Sequence, residues 1–506
     1  MKERIKTIAL ASLVALSLVQ SYMVAYSTPG AAVRTAQNYV STDPMGPEIK
    51  TEETLFPEQL ILHFGNGSHT VLNPGDLPFY NLILSKLKGR EFRGFQRMAD
   101  TVVRWSEIRD NNLGLELRLG SGLPVTLLSR MLQLDSGDEE FLADTVDRIW
   151  IFRSSSTEEV RTFFFSAGGG VVYEATQADL TVRDVEDDVG LGEYWTPYEP
   201  DAYGLYVPRQ PVEAAQARIG YQSYSADLLQ RSLFFDPGTT RMIKDRDGSQ
   251  VYTDGKRALQ IEQNGQWISY TDPAAPLSGS EQARSNPAGS MSSAMQFVNQ
   301  HGWDGLHRLV SLGGSDAAGG SSGPTPRPGR GTSEEQHELL FRQYFRFGEN
   351  RVLPVVPSSD FRFGFIRLTV LQGSVTTYER SLITLGPSPA QKSARWLPGG
   401  QRLDQALAAY SRRSEIEALY PAVKAEPAED GQLRFLPVWA VRLADGTEEA
   451  LAGPLDEGFD GSVVPRDNLS ALGAGVGEAG ATPSPTPPPG DGASREEEGG
   501  TARGLG

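Results

Sequence analysis

The sequence contains no cysteine and only five histidines in 506 residues. The first absence removes thiol nucleophiles, disulfides and every cysteine-based zinc or iron–sulfur site. The second leaves little material for imidazole metal centres or general bases. A chain that works outside the cell without disulfides must be stable on packing alone, which calls for sizeable domains. Positive charge is scarce as well: 47 Lys and Arg against 64 Asp and Glu leave a net charge of −17. Phosphate recognition needs a clustered basic surface, so a nucleic-acid partner is not expected. Neither a P-loop nor an H-E-x-x-H motif occurs.

What is present begins with Ile8–Tyr26, 19 residues without a charge. At 1.5 Å per residue such a helix matches a hydrocarbon core of about 30 Å. Lys2, Arg4 and Lys6 precede it and no cation follows until Arg34. This asymmetry predicts a single membrane-spanning helix with a cytoplasmic N-terminus and an extracytoplasmic remainder. A cleaved signal peptide ending near Ala25 or Ser27 is the competing reading, but the apolar run exceeds an ordinary h-region. Within the span, Ala11 with Ala15 and Ser17 with Ser21 form small-xxx-small pairs, and Gln20 adds an amide that prefers a partner in lipid. These five residues are the candidate partner-binding positions.

The expected organisation is a stub and spanning helix at 1–27, a linker at 28–54 and an α+β domain at 55–200. A central β-rich α+β domain follows at 201–388, then a smaller α+β domain at 389–464 and a disordered acidic tail at 465–506. The pattern predicts antiparallel β-meanders packed with helices. Leu60–Phe64 and His69–Leu72 flank Asn66-Gly67 as a hairpin, with the Asn-Gly pair as its positive-φ turn. Ser249–Tyr270 contains Asp254-Gly255 and Asn264-Gly265 between three alternating runs, a three-stranded meander. Phe361–Leu371 and Val375–Leu385 form a hairpin around Gln372-Gly373. Helices are expected at Phe79–Leu87, at Glu91–Arg109 (Phe92, Phe95, Met98, Val102 and Trp105 in one stripe), at Pro124–Leu134 and at Leu403–Leu419. The Gly/Ser/Pro-rich stretch 313–335 reads as a disordered loop inside a domain.

Motifs that carry chemistry are few and misplaced. Gly319–Gly323 fits G-x-S-x-G and Gly475–Gly480 fits G-x-G-x-x-G, but neither has the strand and helix that give such patterns meaning. Ser85–Lys88 fits S-x-x-K without its companion elements, and reads as the polar side of a helix. His63 and His69 face each other across the first hairpin as a conceivable metal pair with no third ligand in view. His301 and His307 around Trp303 look like packing. No catalytic, metal or cofactor residue is assigned, and no enzyme activity is expected.

The order of several stretches resembles the YycH (WalH) family, accessory regulators of the YycG/YycF (WalK/WalR) two-component system. KERIKTIALASLVALSLVQSYMVAY is similar to its basic start and spanning helix. LFPEQLILHFG at 55–65 and FYNLILSKLKG at 79–89 resemble its first domain. SLFFDPGTTRMIKDRDGSQVYTDGKRALQI at 232–261 resembles its central signature, with Phe235-Asp236 and Tyr252-Thr253-Asp254-Gly255 the most characteristic pieces, and RFGFIRLTV at 362–370 agrees too. The resemblance implies a non-enzymatic, membrane-anchored regulator of the sensor histidine kinase YycG in Gram-positive bacteria. It would act with a second anchored protein, YycI, through transmembrane-helix and extracytoplasmic contacts, and tune cell-wall metabolism. An envelope-ligand binding module is the alternative, and an anchored cell-wall enzyme a more distant one.

Overall fold

The computed structural model describes residues 46–451 apart from 136, 235–236, 247, 263–264, 276–285, 315–335, 348–350, 359, 388, 390 and 429–430, together with positions 4, 6, 13, 14, 16 and 17. Two large sheets and a few helices make up the described part, a mixed α+β architecture rich in strands.

The first sheet has ten strands drawn from Gln59 to Pro208. Its centre is β1 (Gln59–Phe64), β2 (His69–Leu72), β4 (Leu113–Pro124), β5 (Thr145–Arg153), β6 (Val160–Ser166) and β7 (Val171–Ala178), with β3 (Glu91–Ala99) beyond β7. The β1–β2 hairpin forms as the alternation predicts, with Leu60 opposite Leu72 and His63 opposite His69. Its positive-φ residues are Gly65 and Gly67 rather than Asn66. Asn66 instead accepts a hydrogen bond from the Ser68 amide at 3.0 Å, closing a longer loop. Helix α1 (Leu77–Lys88) turns Tyr80, Ile83, Leu84 and Leu87 into the core.

Glu91–Arg109 is not one helix. Residues 91–99 are strand β3, antiparallel to β7, and only Trp105–Asn111 is α-helical. Gly94, at φ +67°, interrupts the alternation, and Phe92 and Phe95 both reach the ring of Phe164. That three-residue spacing on one face imitates a helical stripe. The helix expected over 124–134 is likewise short, Val125–Leu128, with a strand at Gln133–Asp135.

The second sheet has fifteen strands. Its strands include β8 (Val212–Ser223), β9 (Arg241–Lys244), β10 (Gln250–Thr253), β11 (Ala258–Glu262), β12 (Trp267–Thr271), β13 (Leu306–Gly314), β14 (Gln336–Arg346), β15 (Val352–Val356), β16 (Phe365–Leu371), β17 (Ser374–Ser381), β18 (Ile416–Pro427) and β19 (Gln432–Leu443). The order runs β9-β10-β11-β12-β17-β16-β14-β15-β18-β19-β8, with β13 beside β14. Strand β9 is an edge. The meander over 249–270 and the 365–381 hairpin form as expected, and Gln372 and Gly373 hold the positive φ values of its turn. The strands flanking 315–335 pair with each other, β13 against β14. Residues on both sides of 388 share the sheet, because Gln391–Leu397 pairs with β8.

The Leu403–Leu419 helix is shorter than expected: it covers Gln401–Ala409, and Ile416 and Leu419 belong to β18. Both residues are buried, against β19 instead of on a helical face. Helix α2 (Pro287–His301) lies under the meander, with Asn286 accepting from the Ala288 amide as its N-cap. One continuous apolar core joins α1, the inner face of the first sheet, α2, the meander and β13, β14, β16 and β17.

Candidate functional site

Four of the five candidate helix positions, Ala11, Ala15, Gln20 and Ser21, lie outside the described residues. Ser17 is helical and exposed, as are Leu13, Val14 and Leu16. Among the described residues no helix is long and apolar enough to cross a membrane. Phe235 and Asp236 also lie outside the description. The other signature residues build a hairpin corner: Tyr252 is buried, and Gly255 takes φ +88°. The Asp254 carboxylate accepts from the amides of Lys256 and Arg257, and the Thr253 hydroxyl donates to the Arg257 carbonyl. These contacts close the turn, and Arg257 reaches on to Asp272 at 2.9 Å.

The leading segment is pinned where it meets the fold. The Ile49 amide donates to Asn299 Oδ1 at 3.0 Å, and Asn299 Nδ2 donates back to the Ile49 carbonyl at 3.1 Å. Trp303, fully buried beyond α2, donates its indole N–H to the same Asn299 oxygen. A Cβ on Gly46 would lie 2.7 Å from the Trp303 carbonyl oxygen, so only glycine fits there. The Gly46–Ile49 segment is therefore tied to α2 before the chain enters the first sheet.

A buried ionic seam lies next to that point. Arg442 of β19 bonds to Glu58, just ahead of β1, at 3.2 Å, and also to Glu417. Arg308 of β13 donates to the carbonyls of Phe56 and Leu119. Arg342 pairs with Glu448, whose other oxygen takes the Tyr420 hydroxyl at 2.8 Å. Burial opposes ionisation of Glu58, but Arg442 and Arg308 overcome it and hold the carboxyl below its ordinary range. Glu58 and Arg442 lie 384 positions apart and Arg342 and Glu448 106 apart, and no local pattern in the sequence marks these pairs.

Beside the seam opens a cleft of about 520 Å³, between the short helix Thr51–Thr54, α1 and the second sheet. Glu53, Phe56, Tyr80, Asn81, Lys88 and Arg346 are among its walls. It offers two signs of charge and aromatic surface. Burial lifts the Tyr80 hydroxyl far above its ordinary value, and that hydroxyl donates to the Pro57 carbonyl at 2.6 Å.

The histidines are interior groups. His63 and His69 Nδ1 atoms stand 3.0 Å apart, buried under Trp150 and Tyr206, with the other ring nitrogens toward Glu116 and Asp110. Two facing nitrogens at that distance share a proton, and among the described residues no cluster of three metal-ligating side chains occurs. Burial and the nearby His63 bring His69 down to about 4. Ser232 with His301 (2.6 Å) and Ser290 with His337 (2.9 Å) form two further buried pairs. Both are enclosed where α2 meets its neighbours; they tie helix to helix and helix to sheet. His307 Nε2 sits 3.3 Å from Asp304, and burial holds that imidazole down at about 3. On α1, the Ser85 hydroxyl donates to the Leu82 carbonyl of its own helix rather than to Lys88.

Comparison with known proteins follows this architecture. Residues 3–191 match the family model described as the YycH protein N-terminal domain. The N-terminal part of the chain is similar to that domain. Over 475 residues the chain is 19% identical to the Bacillus subtilis (strain 168) YycH, described as a two-component system WalR/WalK regulatory protein; the match spans 87% of this chain and 95% of that one. The crystal structure of Bacillus subtilis YycH superposes with a TM-score of 0.60 at 16% identity, covering 82% of this chain and all of that one. The shared fold thus includes both sheets. The Bacillus subtilis YycH is by description a regulatory protein.

Proposed function

We propose that this protein is a membrane-anchored, non-enzymatic regulator of a WalK-type (YycG) sensor histidine kinase, acting beside a YycI-like partner. The observation that carries the reading is the likeness to the WalR/WalK regulatory protein along nearly the whole chain. In this reading Ile8–Tyr26 spans the membrane with its N-terminus in the cytoplasm, and everything from the linker on is extracytoplasmic. Leu13, Val14 and Leu16 support it: they are more than half exposed on helical backbone, apolar surface that this chain leaves uncovered. Lipid or a second helix would cover them. Ala11, Ala15, Ser17, Gln20 and Ser21 are then the positions at which a kinase helix is met. The pinned Gly46–Ile49 segment is where the linker from that helix meets the ectodomain. Regulation requires that the helix pack better against one kinase state than the other, since only differential affinity shifts an equilibrium. Confinement to one membrane raises the effective concentration of the partners, so weak contacts suffice.

The test is kinase output from a WalR-dependent promoter in cells carrying one of three forms at matched expression. These are the full chain, residues 1–54 alone, and the ectodomain behind an unrelated spanning helix. The helix reading expects the first two to shift output and the third to leave it unchanged. A shift by the swapped form alone would move regulation to the ectodomain. The cleft beside the seam supports that second reading, in which an envelope ligand is sensed there. No shift by any form would end the regulator reading.

A further inference from the structure

All four residues of β9, Arg241, Met242, Ile243 and Lys244, are exposed, and β9 is the end strand of the fifteen-stranded sheet. Met242 and Ile243 are each more than half exposed. An uncovered edge with apolar side chains is a template for another strand. Ladder parity limits how a strand can join. The Asp245 amide donates to the Ser249 carbonyl at 2.9 Å, and Ile243 lies opposite Val251, two residues further along each strand. In an antiparallel ladder hydrogen-bonded pairs alternate, so Ile243 and Arg241 spend their backbone groups on β10 while those of Met242 and Lys244 face outward.

We infer that this edge pairs antiparallel with β9 of a second copy of the chain, about a two-fold axis at Ile243. In that register Met242 and Lys244 of one copy exchange backbone hydrogen bonds with Lys244 and Met242 of the other. Ile243 faces its own counterpart at the non-hydrogen-bonded position, and Arg241 faces Asp245 on the same side of the sheet. Parity forbids a one-residue slip. A two-residue slip one way sets Lys244 against Lys244; the other way sets Arg241 against Ile243. Either loses both Arg241–Asp245 pairs, and like charges directly opposite are destabilising. The edge is thus complementary to itself in one register. Among the described residues Arg241 and Lys244 have no ion-pair partner within the chain. Such an interface is isologous and closes at two copies, which caps the exposed edge instead of propagating it. The inference is independent of the kinase reading.

The absence of cysteine makes the test specific, since one introduced thiol is the only one present. Facing residues at a non-hydrogen-bonded position have Cα atoms about 4.5 Å apart, within disulfide reach. The full chain in mild detergent, carrying Ile243→Cys, should form a disulfide-linked dimer on mild oxidation. Arg241→Cys places its thiols four residues out of register, about 13 Å apart, and should not. The double variant R241C/D245C should cross-link again. Sedimentation of uncross-linked protein should show R241D dissociating the dimer and R241D/D245R restoring it. Cross-linking of I243C no better than R241C overturns the inference, as does a monomer in both measurements. Protection of the I243C thiol in a monomeric fraction would also overturn it, assigning the edge to a strand of another protein.

Discussion

Two hairpins of this molecule begin from the same local signal and end in opposite environments. β1–β2 and β9–β10 are both short antiparallel pairs, each rich in β-branched or aliphatic residues. Yet β1 has β4 on its other side, and β2 has the strand Pro197–Pro200, so both of its strands are interior. Leu60, Ile61 and Leu62 are fully buried, and even His63 and His69 are enclosed. β9 has a neighbour on one side alone, and every one of its side chains is exposed. Sheet position, more than strand composition, decides what a hairpin contributes to stability and what it leaves for a partner.

The comparison is broken most severely at the seam that locks β1 in place. Arg442→Ala leaves Glu58 buried beside a lost counter-charge, and should cost about 3–5 kcal/mol in denaturant unfolding. Replacing both residues by Met should cost much less, which distinguishes a stranded charge from lost packing. Within β1, Leu62→Ala should cost about 2–5 kcal/mol. At the Asp254-Gly255 turn, Gly255→Ala must adopt a positive φ and should cost about 1 kcal/mol, read as a shift in denaturation midpoint. The β9 counterpart of the Leu62 change, Met242→Ala, should stay within about 0.5 kcal/mol of the parent.

Acid sharpens the same contrast. His69 is held at about 4, so between pH 6.5 and 4 the unfolded chain binds a proton there that the folded chain refuses. Its stabilising contribution is complete above pH 6.5 and is lost progressively as pH falls to 4. Burial lifts Asp76 and Asp147 to about 6, and they act oppositely: their contribution is present at low pH and fades as pH rises from 3.8 to 6. His69→Gln should therefore make stability fall less steeply between pH 6.5 and 4, whereas β9 substitutions should leave that slope unchanged. Unfolding midpoints measured across this window would check both.

Much of the fold was legible because turns and alternation are local. Gly255, Gln372 and Gly373 adopt the positive φ values that their turns require, and the strands on either side follow. The failures have local causes too. Gly94 lets Phe92 and Phe95 share a face at helical spacing, and Ile416 with Leu419 continues an apolar rhythm after α-helix has ended at Ala409. The His63–His69 pairing across the first hairpin was also readable, since alternation and turn length set cross-strand partners. That the pair lies under Trp150 and Tyr206, with Glu116 behind it, was not.

The sequence by itself determined the hairpin turns at Asp254-Gly255 and Gln372-Gly373, the strands of the meander and of the first hairpin, and that thiol chemistry has no part here. These follow from backbone preferences and composition within a few residues. Tertiary structure alone decided that Glu58 and Arg442, 384 positions apart, would be buried against each other, and that β1 would be interior while β9 became an edge. Burial and edge status depend on which distant strands arrive alongside, and a short stretch of sequence carries no record of them.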